Sequence, residues 1–208
     1  MSRIAMTMMI CVGGLLLCAT GVAQAGTYTF QPDPVDLGDL DHGMYYIWGI
    51  DLTGKLMDDE YIESASLSIK EINDWTVEPG DHLYIHLLDN PTVGTFSDDD
   101  SVSGDNNEFT GQGLWLVTYE DTNGSAFENF THDILGAQLD TLNTYVNNPT
   151  TDKVFGFGFD PDCHYWNEGV TVTVKTVPEP STALFAVIGA GLCLMGRRGK
   201  LVWGKSSA

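Results

Sequence analysis

Basic residues are scarce in this chain: lysine and arginine together number 9 against 29 aspartates and glutamates, for a formal net charge of −20. The imbalance deepens once the ends are set aside. Arg3, Arg197, Arg198, Lys200 and Lys205 lie in terminal segments of a different character, so residues 26–176 keep four basic residues against twenty-eight acidic ones, a charge near −24. Such a body repels phosphate backbones, which argues against nucleic acid as a partner, and it favours divalent cations. Cysteine is scarcer still. Of the 4 cysteines, Cys11 and Cys18 fall in an N-terminal apolar run and Cys193 in a C-terminal one. Cys163 is left alone in the body, so no internal disulfide can form there, whatever the compartment. The short signatures of catalysis are missing too: the chain has no GxSxG elbow, no HExxH helix, no P-loop and no paired CxxC.

What is present first is an address. Met1, Ser2 and Arg3 precede an apolar stretch through Leu17 and Cys18, and Ala23, Gln24 and Ala25 follow it. Charged, apolar and small-residue regions in that order make a secretory signal, with cleavage expected after Ala25. A lipoprotein would carry its lipid on Cys18, but Leu17 stands where a small residue is needed. A permanent anchor is disfavoured by an apolar run shorter than the roughly 20 residues that a bilayer requires.

At the other end Val177, Pro178, Glu179, Pro180, Ser181 and Thr182 precede an apolar run from Ala183 to Gly196, then Arg197, Arg198, Gly199 and Lys200. Fourteen helical residues span about 21 Å, less than a hydrocarbon core of about 30 Å, so the run is a marginal membrane helix. The basic cluster should stay cytoplasmic, leaving the body outside, in agreement with the leader. Pro178 and Pro180 hold the chain before the helix extended and without backbone donors. This segment resembles the PEP-CTERM sorting signal, also catalogued as the C-terminal domain of ice-binding proteins. The resemblance implies recognition by exosortase, a membrane cysteine peptidase of Gram-negative bacteria that make exopolysaccharide. Residues 201–208 follow the basic cluster, where the family pattern usually stops. A simple membrane anchor without processing is the alternative. A GPI signal would lack the basic cluster, and there is no LPxTG motif for a sortase.

About 150 residues remain, the size of one domain. Segments 27–30, 44–52, 62–72, 82–88, 114–119, 127–134, 154–159 and 170–176 are rich in β-branched and aromatic residues, with turn formers between them. Ala65, Leu67 and Ile69 alternate with polar residues, as do Val170, Val172 and Val174 with threonines, so each strand has one buried and one wet face. The expected fold is all-β, an antiparallel, jelly-roll-like β-sandwich over 26–176, flanked by the leader (1–25), the sorting helix (177–200) and a cytoplasmic tail (201–208). Leu139, Leu142, Tyr145 and Val146 recur at helical spacing, which predicts one short helix over 138–146, lying on a sandwich edge. The body also resembles a group of planctomycete-type PEP-CTERM proteins through Tyr46-Ile-Trp-Gly49, Leu87-Leu-Asp-Asn90 and the run from Phe157 to Tyr165. That resemblance implies the sandwich and the exported setting and no particular chemistry.

Two acidic loops are candidate calcium sites, since hard cations take oxygen ligands: Asp98, Asp100 and Asp105 in the first, Asp160 and Asp162 in the second. In both, the competing reading is a solvated loop. Zinc would need Cys163, His164 and a remote His82 or His86, ligands that the sequence alone does not assemble. Neighbours in an extended segment face opposite ways, so Cys163 and His164 make a poor nucleophile and base, and Cys163 reads as structural. Among the tryptophans, Trp48 and Trp115 sit in strands and are expected in the core, whereas the loop-end Trp75 and Trp166 are candidates for stacking on sugars. The sequence therefore points to a non-enzymatic protein of the cell surface or exopolysaccharide matrix. It would be handled by signal peptidase and exosortase, anchored transiently at the inner membrane, and structural or adhesive in role. A carbohydrate-binding module is the first alternative and a polysaccharide-active enzyme the second.

Overall fold

The computed structural model describes residues 25–74, 81–98, 107–122, 126–150 and 153–179. The expected leader up to residue 24 and the C-terminal membrane helix lie outside the described residues. Within them the alternating segments form strands β1 (Gly26–Phe30), β2 (Met44–Asp51), β3 (Glu60–Asp74), β4 (Leu83–Leu88), β5 (Gly94–Ser97), β6 (Leu114–Tyr119), β7 (Glu128–Ile134), β8 (Val154–Pro161), β9 (Tyr165–Trp166) and β10 (Gly169–Pro178). One helix, α1 (Ala137–Val146), separates β7 from β8. The strands make two antiparallel five-stranded sheets packed together, one ordered β1-β10-β3-β7 with β9 on the end of β3, the other β5-β2-β8-β4-β6.

The core is where the two inner faces meet. Leu67, Ile69, Val170, Val172 and Val174 of the first sheet, and Ile85, Leu87, Phe155, Phe157 and Phe159 of the second, are all fully buried. Each such side chain contributes about 1.5–3 kcal/mol by leaving water. Strand β8 is covered on its other face as well. Gly156 and Gly158 point outward between the phenylalanines, and a side chain at Gly158 would lie 2.5–2.7 Å from the ring of Phe109, one at Gly156 2.7 Å from Pro91. Two connecting segments therefore rest directly on the outside of this sheet.

The helix does not lie on an edge. It touches β3 of one sheet and β6 and β8 of the other, closing the open end between them, because Leu142 and Val146 find apolar cover only there. It also repairs a gap in hydrogen bonding. Strand β7 stops where Ile134 faces Ala65, so β3 runs on without a neighbour on that side. There Asn143 accepts the Ile62 amide at 2.8 Å and donates to the Ile62 carbonyl at 2.9 Å.

Strand β3 carries two irregularities that change which side chains face inward. Register shifts between Lys175 and Thr176 on one side, and between Ile69 and Ile72 on the other, where Glu71 has φ 48. Ile62 is buried at an even position, Ala65, Leu67 and Ile69 at odd ones, and Ile72 at an even one again. Each bulge inserts a residue and flips the alternation. The second flip turns Asp74 into the protein.

Strand β10 runs through Val177 and Pro178, which face Tyr61 and Glu60, and the Glu179 amide donates to the Asp59 carbonyl at 2.6 Å. A proline is tolerated there because β1 begins only opposite Thr176, so among the described residues no strand calls for a donor from Pro178 on that side.

Candidate functional site

Two places on the body gather polar and aromatic chemistry. The first is a cleft of about 510 Å³ on the outside of the second sheet. Tyr45, Phe96, Phe109 and Tyr145 supply its aromatic walls, and Asp89, Asn90 and Gln112 its polar groups. Tyr45 projects outward because Tyr46 and Trp48 take the inner face of β2, and it stacks on Phe96 with centroids 5.1 Å apart and planes at 18°. Phe109 meets Tyr45 edge-on at 5.6 Å and forms the floor. Tyr145 comes from α1, and burial followed by the charge of Asp89 raises its phenol above the ordinary range. Asn148 anchors Asp89 from the same side, donating at 2.9 Å. Beneath the segment, His86 contacts the Gln112 carbonyl at 3.2 Å and Asn107 at 3.0 Å, and burial lowers its pKa, favouring the neutral ring. The cleft thus sets flat apolar ring faces beside fixed donors and acceptors.

The second place is the end of the sandwich opposite α1, where β3 finishes and β4 and β9 begin. Asp74, fully buried by the flip in β3, stands directly opposite Tyr165 in the ladder. Its amide donates to Asp121 at 3.0 Å, and its Oδ1 accepts the Cys163 thiol at 3.0 Å. Donor atoms of Asp74, Asp81 and Cys163 all lie within 4.8 Å of one another. Burial, then the hydrogen bond to Asp74, pushes the Cys163 thiol up to about 12, so it is not a thiolate nucleophile at neutral pH.

The expected calcium ligands reach this same end in part. Asp160 is fully buried on the outer face of β8 and accepts the Glu108 amide at 2.7 Å. Asp98 continues the edge of β5, its amide bonded to the Gly43 carbonyl at 2.9 Å, and both its carboxylate oxygens are buried without a hydrogen-bond partner among the described residues. Asp162 turns toward His82, at 3.8 Å. Asp100 and Asp105 lie outside the described residues, as do Trp75, Pro180, Ser181, Arg197 and Arg198.

Trp166 is exposed at 42 %, with His164 edge-on at 6.0 Å. Trp48 is core, as its strand predicts, but Trp115 is 57 % exposed on the edge strand β6, since Leu116 takes the inward position. His86 lies with Phe109 under the outer segment and His82 faces Asp162, so the histidines considered for zinc are engaged elsewhere than at Cys163. Sequence reasoning missed the cleft residues, which come from five separate segments, and it missed Asp74 and Asp81. The one signal for the cleft was the Asp89-Asn90-Pro91 turn. The chain matches no protein-family model and no curated protein.

Proposed function

We propose that this chain is an exported module of the cell surface or exopolysaccharide matrix, one that holds polysaccharide without cutting it. The observation that carries this reading is the outer cleft, whose stacked Tyr45 and Phe96 and facing Tyr145 offer sugar-sized apolar faces beside Asp89, Asn90 and Gln112. The export address supports the setting. Strand order supports a jelly roll: without the short β5 and β9, the sheets run first-eighth-third-sixth and second-seventh-fourth-fifth, the two nested Greek keys of that architecture. Lectin domains use it as well, which is support by analogy only.

Binding to a glycan array and to acidic and neutral polysaccharides in affinity gels tests the proposal. Tyr145→Ala should weaken retention at least tenfold, about 1.4 kcal/mol, at a temperature where circular dichroism shows the variant still folded. No reducing sugar should be released. Wild-type protein that binds no glycan, or a Tyr145→Ala variant that binds as well as wild type, overturns it. Loss of binding on Trp166→Ala alone would move the contact to the acidic end.

Calcium at that end is the second part of the reading, carried by Asp98. Two buried carboxylate oxygens without a donor are unfavourable unless a cation meets them. The four lysines of the body do not serve: Lys70 is engaged with Glu168 and Glu71, Lys175 with Glu63, Lys153 with Asp58, and Lys55 over the Phe30 ring. Calcium at 100 times its dissociation constant should add about 2.7 kcal/mol, or about 5–10 °C in melting temperature, relative to EDTA. Asp98→Asn should remove the shift and Cys163→Ser should not. An equal rise in sodium chloride at matched ionic strength would reduce the effect to screening.

A further inference from the structure

We propose that Asp74, Asp81 and Cys163 form a site for a thiolate-seeking divalent cation of the zinc class, with Tyr165 hydrogen-bonded to a water in the fourth position. The argument starts from strand geometry. Asp74 and Tyr165 are direct cross-strand partners and so share a face, and the bend before β9 brings the Cys163 thiol onto Asp74 Oδ1. Asp81 joins them from the approach to β4, and donor atoms of the two aspartates and the cysteine lie within 4.8 Å of one another. Bonds of 2.0–2.3 Å to a tetrahedral ion would set such atoms about 3.5 Å apart. The Cys163 sulfur and Asp74 Oδ1 are already at 3.0 Å, with the thiol proton between them.

Tyr165 supplies an independent observation. Its backbone is fully used, exchanging hydrogen bonds of 2.9 and 3.1 Å with Leu40, but its hydroxyl is wholly buried and has no hydrogen-bond partner among the described residues. As the direct cross-strand partner of Asp74, Tyr165 projects from the same face as the carboxylate that holds the cluster together. A buried phenol with nothing to bond is unfavourable. A metal-bound water supplies what it lacks.

The donor set selects the ion. Calcium takes 6–8 oxygens and has no use for sulfur, whereas one thiolate and two carboxylates suit a four-coordinate borderline ion. Binding is a proton exchange without redox change: the Cys163 S–H bond breaks, a sulfur–metal bond forms, and one proton leaves to solvent. The ion meets the two aspartate charges that are otherwise held close together, and the thiolate charge that binding creates.

Cobalt(II) is the probe, added anaerobically to reduced full chain in which Cys11, Cys18 and Cys193 are replaced by alanine. One equivalent should give a thiolate-to-cobalt charge-transfer band with tetrahedral ligand-field absorption, and one proton should be released per ion. Cys163→Ser should abolish the band, and Asp81→Asn should weaken binding at least tenfold. Tyr165→Phe should keep the band and weaken binding several-fold, with near-ultraviolet circular dichroism reporting the fold throughout. Folded protein without the band, a band that survives Cys163→Ser, an Asp81→Asn variant of unchanged affinity, or displacement of cobalt by millimolar calcium would each overturn the proposal. If Cys163→Ser does not fold, the band in the parent and the affinity of Asp81→Asn decide it.

Discussion

Replacing Gly113 with alanine should destabilise the fold by about 3–5 kcal/mol, while the same change two residues earlier, Gly111→Ala, should cost only about 1–2 kcal/mol. Both glycines have left-handed backbone, with φ 60 and 77. They differ in what a methyl group would meet. At Gly111 nothing lies within 4 Å, whereas at Gly113 the methyl group would overlap the backbone carbonyl oxygen of Leu87 and press on Leu88. The Leu87 carbonyl belongs to the ladder between β4 and its neighbours and cannot give way without disturbing it. Strain at Gly113 would also travel back along the covering segment, lifting Phe109 from Gly158 and the Glu108 amide from Asp160. Stability and glycan retention should therefore fall together in this variant. Thermal melts of the two glycine variants side by side decide the matter. Equal losses would show that backbone conformation alone sets the penalty.

The largest cellular effect is expected from the sorting strip. Changing Pro178→Thr, Glu179→Ser and Pro180→Ser together should reduce release of the protein from full to essentially none, leaving an uncut, membrane-held chain that starts at Gly26. Pro178 is paired with Glu60 and the Glu179 amide is bonded to Asp59, so under the sorting proposal a peptidase would meet strand backbone as far as Glu179. Threonine at 178 keeps the strand, which separates loss of recognition from loss of fold. Mass spectrometry of culture supernatant and membrane fraction reads the result. Recovery of wild-type chain intact through Ala208 from the supernatant of an exosortase-positive strain would defeat the sorting reading, and release of the triple variant would free it from these three residues.

The strands were legible because their signal is local. Alternation in Ala65-Leu67-Ile69 and Val170-Val172-Val174 marks inner faces without knowledge of any partner, and the burial of those residues follows it. The two strands that the pattern did not give, Gly94–Ser97 and Tyr165–Trp166, have four and two residues, too few for a period to register. Bulges defeat the same logic in a different way. Extending the odd positions of β3 past Ile69 would send Asp74 to solvent, and only the extra residue near Glu71 reverses that. The cleft was beyond reach for a further reason. Gly156 and Gly158 read as strand residues of low propensity, and their use, making room for Pro91 and Phe109, depends on segments about sixty-five and fifty residues away along the chain.

Strands β1 and β10 lie side by side with Gly26 opposite Thr176, so both ends of the body leave the sandwich at the end that α1 closes. The acidic end is the other one. Ten residues of β10 at about 3.3 Å each put about 33 Å between the point where a C-terminal tether would hold the body and the level of Gly169. At physiological ionic strength an electrostatic field decays over about 8 Å, so that distance is roughly four decay lengths. A body held by its C-terminus would thus carry Asp74, Asp81, Asp98 and Asp160 beyond the influence of an anionic membrane surface, where the local supply of divalent ions is that of the surrounding medium.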